Sequence, residues 1–178
     1  MTTPHQAFAI AGPALISFSG GRTSGYIEVL RAHGGTLPDD VKVAFANTGK
    51  EREETLRFVH ECGLRWGVKV HWLEWRDAKP CFDEVGYNSA SRAGEPFAAL
   101  ITKKKRLPNW KERWCTALLK VDVLTAFAAE QGWQPGAYAE TIGLRYDEGF
   151  RLLRGIENAN AAGGACTRFP RRRSRKRT

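Results

Sequence analysis

Short apolar runs rich in β-branched and aromatic residues alternate along this chain with longer stretches in which apolar residues recur every three or four positions. The first pattern is typical of strands and the second of amphipathic helices. The pattern predicts strands at residues 14–18, 41–46, 68–73 and 138–142, and helices from about Thr23, from Arg52 to Trp66 and from Val121 to Gln131. This alternation predicts an α/β fold with a mostly parallel central sheet and crossover helices.

The stretch from Glu74 to Lys120 shows neither pattern and is rich in Trp, Lys and Arg. A connection of this length is unusual in a compact domain, and long loops often carry functional residues. We therefore predict an irregular segment here that contributes to a site. After Gly155 the chain turns to Asn, Ala and Gly and then to arginine, which predicts a domain of residues 1–155 followed by a disordered basic tail of residues 156–178.

The composition and charge indicate a single globular domain with an unevenly placed positive charge. The chain has 178 residues, of which 42% are hydrophobic and 26% charged, as expected for one globular domain. Its net charge of +9 owes most to the run of bases between Arg168 and Arg177, so the body is nearly neutral. The arginine-rich tail is a candidate segment for binding nucleic acid.

The four cysteines, Cys62, Cys81, Cys115 and Cys166, form no Cys-x-x-Cys pair and show no metal-ligand spacing with histidine. This spacing predicts a reduced, cytoplasmic protein without a metal site. The apolar stretch at residues 7–18 lacks a basic start and runs into a glycine loop, so it is a poor signal peptide. No apolar run reaches membrane-spanning length, which predicts no membrane partner.

The segment most informative about chemistry runs from Ser17 to Gly25 with the sequence Ser-Phe-Ser-Gly-Gly-Arg-Thr-Ser-Gly, between the first predicted strand and the first predicted helix. Adjacent glycines bring backbone N–H groups close to an anion, and a helix N-terminus adds partial positive charge. It matches neither the Walker loop nor the Gly-x-Gly-x-x-Gly fingerprint. A plain strand-to-helix turn with a serine cap is the structural alternative. The candidate ligand-binding residues are Ser17, Ser19, Gly20, Gly21, Arg22, Thr23 and Ser24.

Four blocks of sequence resemble a known family. The first, Ser-Gly-Gly-x-Thr-Ser, resembles the PP-loop of the adenine-nucleotide alpha-hydrolase-like superfamily, whose usual form is Ser-Gly-Gly-x-Asp-Ser. Residues 47–59 look like the Thr-Gly-x-x-x-x-Glu-Thr-x-x-Phe block of phosphoadenosine phosphosulfate (PAPS) reductase-like proteins, and residues 113–121 and 143–151 are similar to two further blocks of that family. The resemblance implies a three-layer α/β/α fold of the Rossmann-like HUP type. It also implies a nucleotide at the C-terminal edge of the sheet, near the reversal of strand order.

The resemblance further implies roles for individual residues. The loop from Ser19 to Ser24 would hold the phosphate or sulfate end of ATP or PAPS, and Thr48 and Gly49 would flank the adenosine. Positive charge would come from Arg113, Lys120, Arg145 and Arg151. Lys120, Arg145 and the thiol of Cys115 are the candidate catalytic groups, although a buried structural cysteine beside Trp114 is the alternative for Cys115. The implied activity is sulfur-related reductase or transferase chemistry, with a thiol reductant protein as a partner.

Departures from the family patterns keep other functions open. Thr23 stands where the superfamily has Asp, which weakens the case for a magnesium-bound pyrophosphate. The adjacent cysteine pair that holds an iron–sulfur cluster in the adenylyl-sulfate branch is missing, so we predict no cluster and no covalent cofactor. The Glu-Cys-Gly-x-His-like tail that carries the nucleophile in PAPS reductases is also missing. The alternatives are an ATP pyrophosphatase-type sulfur-transfer enzyme acting on nucleic acid, or a catalytically inactive nucleic-acid-associated module.

Overall fold

A computed structural model of the chain describes residue 10 and residues 12–21, 35–109 and 112–142. Within these residues, five strands form one sheet in the order β4-β3-β2-β1-β5. The strands are β1 (Ala14–Ser17), β2 (Val41–Asn47), β3 (Val70–Trp75), β4 (Phe82–Val85) and β5 (Ala139–Ile142). The helices are α1 (Glu53–Trp66), α2 (Glu95–Lys104), α3 (Trp114–Thr116) and α4 (Asp122–Glu130), with a π-helical turn (Ala117–Val121) that joins α3 to α4.

The first strand, β1, lies inside the sheet and pairs in parallel with β2 on one side and with the edge strand β5 on the other. Ile16 lies opposite Val43 of β2 and opposite Thr141 of β5. From β1 the chain steps outward through β2 and β3 to the antiparallel edge strand β4, and it then returns to place β5 on the far side of β1. The order of strands therefore reverses between β1 and β5, and the prediction of a mostly parallel α/β sheet is confirmed.

Each face of the sheet has its own hydrophobic cluster, because successive side chains of a strand point to opposite faces. On one face, Leu56, Val59 and Cys62 of α1 pack against Ile16 and Phe45. This confirms the predicted amphipathic helix, and buried Cys62 forms part of its apolar face. On the other face, Leu15, Leu73 and Trp75 pack against buried residues that lie at intervals along the chain, namely Leu100, Trp114, Leu119, Val123, Leu124 and Phe127.

The prediction that residues 74–120 are irregular is wrong. Glu74 and Trp75 complete β3, and the rest of the stretch contains β4, α2, α3 and the π-helical turn. The helix α2 has Pro96 in its first turn and buries Leu100 in the second cluster, with Phe97 and Ile101 packed beside it. Pro96, Phe97, Leu100 and Ile101 have the spacing of an amphipathic helix, but the pattern is short because the basic residues 103–106 follow directly.

The other predicted elements agree with the structure to within about two residues, which is the ordinary uncertainty of element ends. The third strand begins at Val70 rather than Val68 and continues to Trp75. The predicted helix from Thr23 and the predicted basic tail of residues 156–178 lie outside the described residues. In the part of the chain that is described, no helix has the length and apolar character needed to cross a membrane.

Candidate functional site

The C-terminal ends of four parallel strands, β1, β2, β3 and β5, lie along one edge of the sheet. In open α/β sheets, ligands bind outside this edge at the point where the strand order reverses, since the loops there diverge and leave a crevice. The loop after β1 therefore holds the position in this fold where a small ligand is most expected.

The loop after β1 continues along β2 before it turns. Ser17 ends the strand, and the backbone N–H of Phe18 donates to the carbonyl of Ala44 at 2.8 Å. The side chain of Phe18 is buried in the cluster on the α1 side, whereas Ser19 is exposed. Gly20 and Gly21 are half-buried. The loop thus has a fixed apolar anchor followed by a solvent-accessible serine and two glycines.

Gly20 has a packing reason to be glycine. Its φ of 70° lies in the left-handed region that side chains disfavour. A Cβ at this position would lie 2.5 Å from Cγ2 of Thr55 and 3.2 Å from Cγ2 of Val59, both on α1. Close approach of the loop to α1 therefore requires this glycine, whatever the loop binds.

The loop after β2 is fixed by the buried side chain of Asn47. Its oxygen accepts the backbone N–H of Gly49 at 3.1 Å, and its nitrogen donates to Oε1 of Glu74 at 2.6 Å and to the carbonyl of Ser91 at 2.9 Å. Gly49 is buried with a φ of 73°, and a Cβ there would lie 2.9 Å from Cα of Gly94. Gly49 is therefore needed for backbone packing, and its contact with adenosine stays a prediction.

Residues 86–94, which we call the strap, run from the end of β4 back to this edge of the sheet. Ser91 of the strap donates to the buried carboxylate of Glu74 twice, through its N–H to Oε1 at 2.7 Å and through its hydroxyl to Oε2 at 2.6 Å. Nζ of Lys50 donates to the carbonyl of Ala93 at 2.8 Å. The strap thus closes the edge above β2 and β3 with polar groups that are already bonded to one another.

The strap is also attached to the start of α1. Nε of Arg92 donates to Oε2 of Glu53 at 2.8 Å, and the hydroxyl of Tyr87 donates to the other carboxylate oxygen at 2.9 Å. The guanidinium of Arg92 and then the hydroxyl of Tyr87 lower the pKa of Glu53 below its usual value, since both bonds favour the ionised form. The ring of Tyr87 stacks on His60 with a centroid distance of 4.3 Å.

Beside the strap, the edge carries a second polar group built from residues far apart in sequence. Nζ of Lys120 lies 3.2 Å from Oε1 of Glu51, and the hydroxyl of Thr48 donates to the same oxygen at 3.4 Å. Lys120 stands on the π-helical turn, where buried Leu119 anchors the backbone in the second cluster. Turns of this kind are rare and occur often at functional sites. Thr48 and Lys120, two predicted site residues, are thus brought together through Glu51.

Two other predicted residues are not joined to these loops. Arg113 precedes α3 and is exposed, while the half-buried side chain of Cys115 packs beside the second cluster. Among the described residues, no hydrogen bond or ion pair connects Arg113 or Cys115 to the loops after β1 and β2. This packing fits the structural interpretation of Cys115, and its catalytic role stays a prediction.

The remaining predicted residues, Arg22, Thr23, Ser24, Arg145 and Arg151, lie outside the described residues. At the end of β5, the hydroxyl of Thr141 is buried and has no hydrogen-bond partner among the residues that are described. No group of three or more His, Cys, Asp or Glu side chains in those residues is placed to hold a metal ion.

Glu51 was not among the predicted site residues, because it directly precedes the predicted helix from Arg52, a place where the helix dipole favours acidic side chains. In the structure the helix begins at Glu53 with Arg52 as its N-cap, so Glu51 belongs to the loop. The bonds among Asn47, Glu74 and Ser91 were missed as well. The polar Asn47 at the end of an apolar strand was the one available signal.

No protein-family model matches the chain. An uncharacterized nin region protein of Escherichia phage lambda is 31% identical over 150 residues, which cover 78% of this chain and 50% of the phage protein. An uncharacterized protein of Methanocaldococcus jannaschii is 28% identical over 141 residues, which cover 79% of this chain and 24% of the archaeal protein. The chain therefore spans half of the phage relative and about a quarter of the archaeal one.

Proposed function

We propose that this protein binds an adenine nucleotide or sulfonucleotide, with the phosphate or sulfate end at the loop after β1. The observation that carries the proposal is the position of this loop, which follows the interior strand β1 beside the reversal of strand order at β5. Backbone N–H groups of Gly20 and Gly21 and the hydroxyl of exposed Ser19 are the proposed anion donors.

Two further observations support this proposal. The four sequence blocks that resemble PAPS reductase-like proteins follow in family order along the chain. Hydrophobic clusters with helices occur on both faces of a mostly parallel sheet, which is consistent with the three-layer α/β/α architecture of PP-loop proteins. We therefore propose the HUP-type fold as the finer description of this domain.

The proposed chemistry is sulfur-related reduction or transfer at the anionic end of the nucleotide. Lys120 at the sheet edge, together with Arg113, Arg145 and Arg151, is proposed to offset the negative charge of the ligand. In a PAPS reductase-like reaction two thiols of a reductant protein are oxidised to a disulfide, and the sulfonyl group leaves the nucleotide as sulfite. Cys115 is the proposed thiol of this chain that carries the sulfonyl group: its sulfur would bond to the sulfonyl sulfur as the rest of the nucleotide leaves. One reductant thiol would then attack the Cys115 sulfur and displace sulfite, and the second would form the reductant disulfide and restore the Cys115 thiol.

Calorimetric titration of the full chain with ATP, AMP, adenylyl sulfate and PAPS tests the binding proposal. We expect saturable binding of at least one nucleotide, and a loss of about tenfold or more in affinity for Gly21→Val, because a side chain there would occupy the approach of the anion. Gly86→Val is the matched control, since that exposed glycine has no atom closer to an added Cβ than Oγ of Ser89 at 3.8 Å.

Failure of the folded protein to bind any of the four nucleotides would refute the proposal, as would equal affinities for the two glycine variants. The products separate the possible reactions. Sulfite released from PAPS or from adenylyl sulfate with a thiol donor supports reductase chemistry, whereas pyrophosphate released from ATP indicates the ATP pyrophosphatase-type alternative and excludes the reductase.

A further inference from the structure

We propose that Glu51 selects nucleotides whose ribose carries free hydroxyl groups and rejects nucleotides that carry a phosphate on the ribose. The inference rests on the proposed function and narrows its substrate class to AMP-like, ATP-like or adenylyl sulfate-like ligands, so that adenylyl sulfate rather than PAPS is the sulfonucleotide that would react. It is carried by the shared contacts of Glu51 with Thr48 and Lys120 at the edge of the sheet.

The first step concerns where Glu51 stands. It follows β2, the neighbour of β1, and precedes α1. When a nucleotide places its phosphate at the loop after the first strand of a parallel α/β sheet, its ribose extends toward the end of the adjacent strand. In the sheets that bind NAD, an acidic side chain near that point accepts a hydrogen bond from the ribose 2′-hydroxyl, and a carboxylate in the same place of this sheet can do likewise. Glu51 is the carboxylate in this loop whose side chain reaches the sheet edge beside Lys120.

The second step concerns which carboxylate oxygen is available. Lys120 and Thr48 both contact Oε1 of Glu51, at 3.2 and 3.4 Å. No described residue donates a hydrogen bond to Oε2. The side chain of Glu51 is 24% exposed and that of Lys120 is 41% exposed, so solvent reaches both. A ligand hydroxyl can therefore donate to Oε2 without displacing either existing partner.

The third step concerns charge. The ammonium of Lys120 and the carboxylate of Glu51 balance each other, so the pair presents no net positive charge to a ligand. A ribose phosphate would bring close to two negative charges at neutral pH. To bind it, Lys120 would have to leave Glu51, which would place an unpaired carboxylate beside the phosphate. Like charges at such an interface are strongly unfavourable.

The test compares AMP with adenosine 3′,5′-bisphosphate, since these ligands differ only in the ribose phosphate. Calorimetry on the full chain at one fixed ionic strength gives the ratio of the two dissociation constants. For the natural sequence we expect the bisphosphate to bind about tenfold more weakly or worse. In Glu51→Gln the uncharged amide releases Lys120 to the phosphate, and we expect the ratio to fall by about tenfold.

Glu61→Gln is the matched control, because it also removes a carboxylate from an ion pair. Glu61 lies about two turns after the start of α1 and pairs with Arg65 at 3.1 Å. It should leave the ratio unchanged. Lys120→Gln gives a second variant with the opposite expectation, a further loss of bisphosphate affinity relative to AMP. Thermal unfolding of each variant checks that it is folded.

The outcomes separate this inference from the proposed function. If the natural protein binds the two ligands equally, or if Glu51→Gln changes both affinities by the same factor, the selection by Glu51 is refuted while nucleotide binding stands. If neither AMP nor the bisphosphate binds to the folded protein but a sulfonucleotide does, the same ratio is measured with adenylyl sulfate and PAPS, and equal affinities for these two refute the selection while the proposed function stands. If no nucleotide binds, both proposals fail.

Discussion

The edge of the sheet above β2 and β3 and the edge beside Lys120 lie next to each other, yet their polar groups are bonded differently. In the first region Asn47 and Glu74 are buried and Ser91 is half-buried, and the three residues donate and accept among themselves. In the second region Glu51 and Lys120 form an ion pair that water reaches. We call the first the closed region and the second the open region.

This difference indicates what each region contributes. Buried polar groups that satisfy one another are costly to disrupt, because removal of one partner leaves the others desolvated without a bond. Solvent-exposed ion pairs contribute little to the free energy of unfolding. The closed region should therefore hold the strap and the loop after β2 in place, while the open region has polar groups that can change partners when a ligand arrives.

The largest effect is expected from Asn47→Ala. This change removes the donor to Glu74 and to the carbonyl of Ser91, and the acceptor for the N–H of Gly49. We expect the free energy of unfolding to fall by about 2–4 kcal/mol. Glu51→Gln in the open region should change it by less than about 0.5 kcal/mol. Urea unfolding at neutral pH measures both, and similar losses for the two variants would remove the distinction between the regions.

An intermediate effect is expected where the loop after β1 touches α1. Gly20→Ala places a methyl group against Thr55 and forces a side chain into left-handed backbone, which should cost about 1–3 kcal/mol in all. Adding Thr55→Ser removes the clashing methyl group and should recover the steric part, leaving about 1 kcal/mol of backbone strain. Urea unfolding of the single and double variants checks this. If the double variant is no more stable than Gly20→Ala, the contact with α1 is not the reason that this position requires glycine.

The smallest effect is expected from His71 of β3, the strand that also supplies Glu74 to the closed region. His71 is buried against Phe127, and its Nδ1 lies 2.9 Å from Oε1 of Glu84. Burial lowers the pKa of His71 below its usual value, although Glu84 acts in the opposite direction. The folded state therefore binds this proton less readily than the unfolded state.

The stabilisation that follows from this lowered pKa is complete above the ordinary histidine pKa of about 6.5 and is lost as the pH falls below it. Urea unfolding between about pH 5.5 and 7.5 should show a free energy of unfolding that rises with pH. The slope should flatten in His71→Phe and steepen in Glu84→Gln, which removes the group that favours the protonated ring. An unchanged slope in His71→Phe would assign the pH dependence to other groups.

The parallel part of the fold was predictable from sequence because its strands are continuous apolar runs bounded by turn residues. The ends of β1 and β2 and the stripe of α1 follow directly from that pattern. The edge strand β4 was not predicted, since Phe82 is its one buried residue and the exposed Asp83 and Glu84 resemble a loop.

Less of the site could be predicted. The position of the glycine loop after β1 and the approach of Thr48 to the sheet edge follow from local sequence. The partners of these residues do not, because Glu51 and Lys120, or Asn47 and Ser91, meet only after the strap and the π-helical turn have packed on the sheet. Gly20 and Gly49 also have packing roles that a motif does not reveal.

The position of β5 has a consequence for how the chain acquires its structure. The interior strand β1 has one neighbour, β2, that follows it closely in sequence, whereas its other neighbour, β5, begins only at Ala139. During translation this edge of β1 therefore stays unpaired until residues 139–142 have been made, and pairing between such distant segments is slow. Until β5 pairs with it, this edge of β1 exposes backbone N–H and C=O groups to which another nascent molecule can bind. The need for chaperones should therefore depend on how soon β5 pairs with β1.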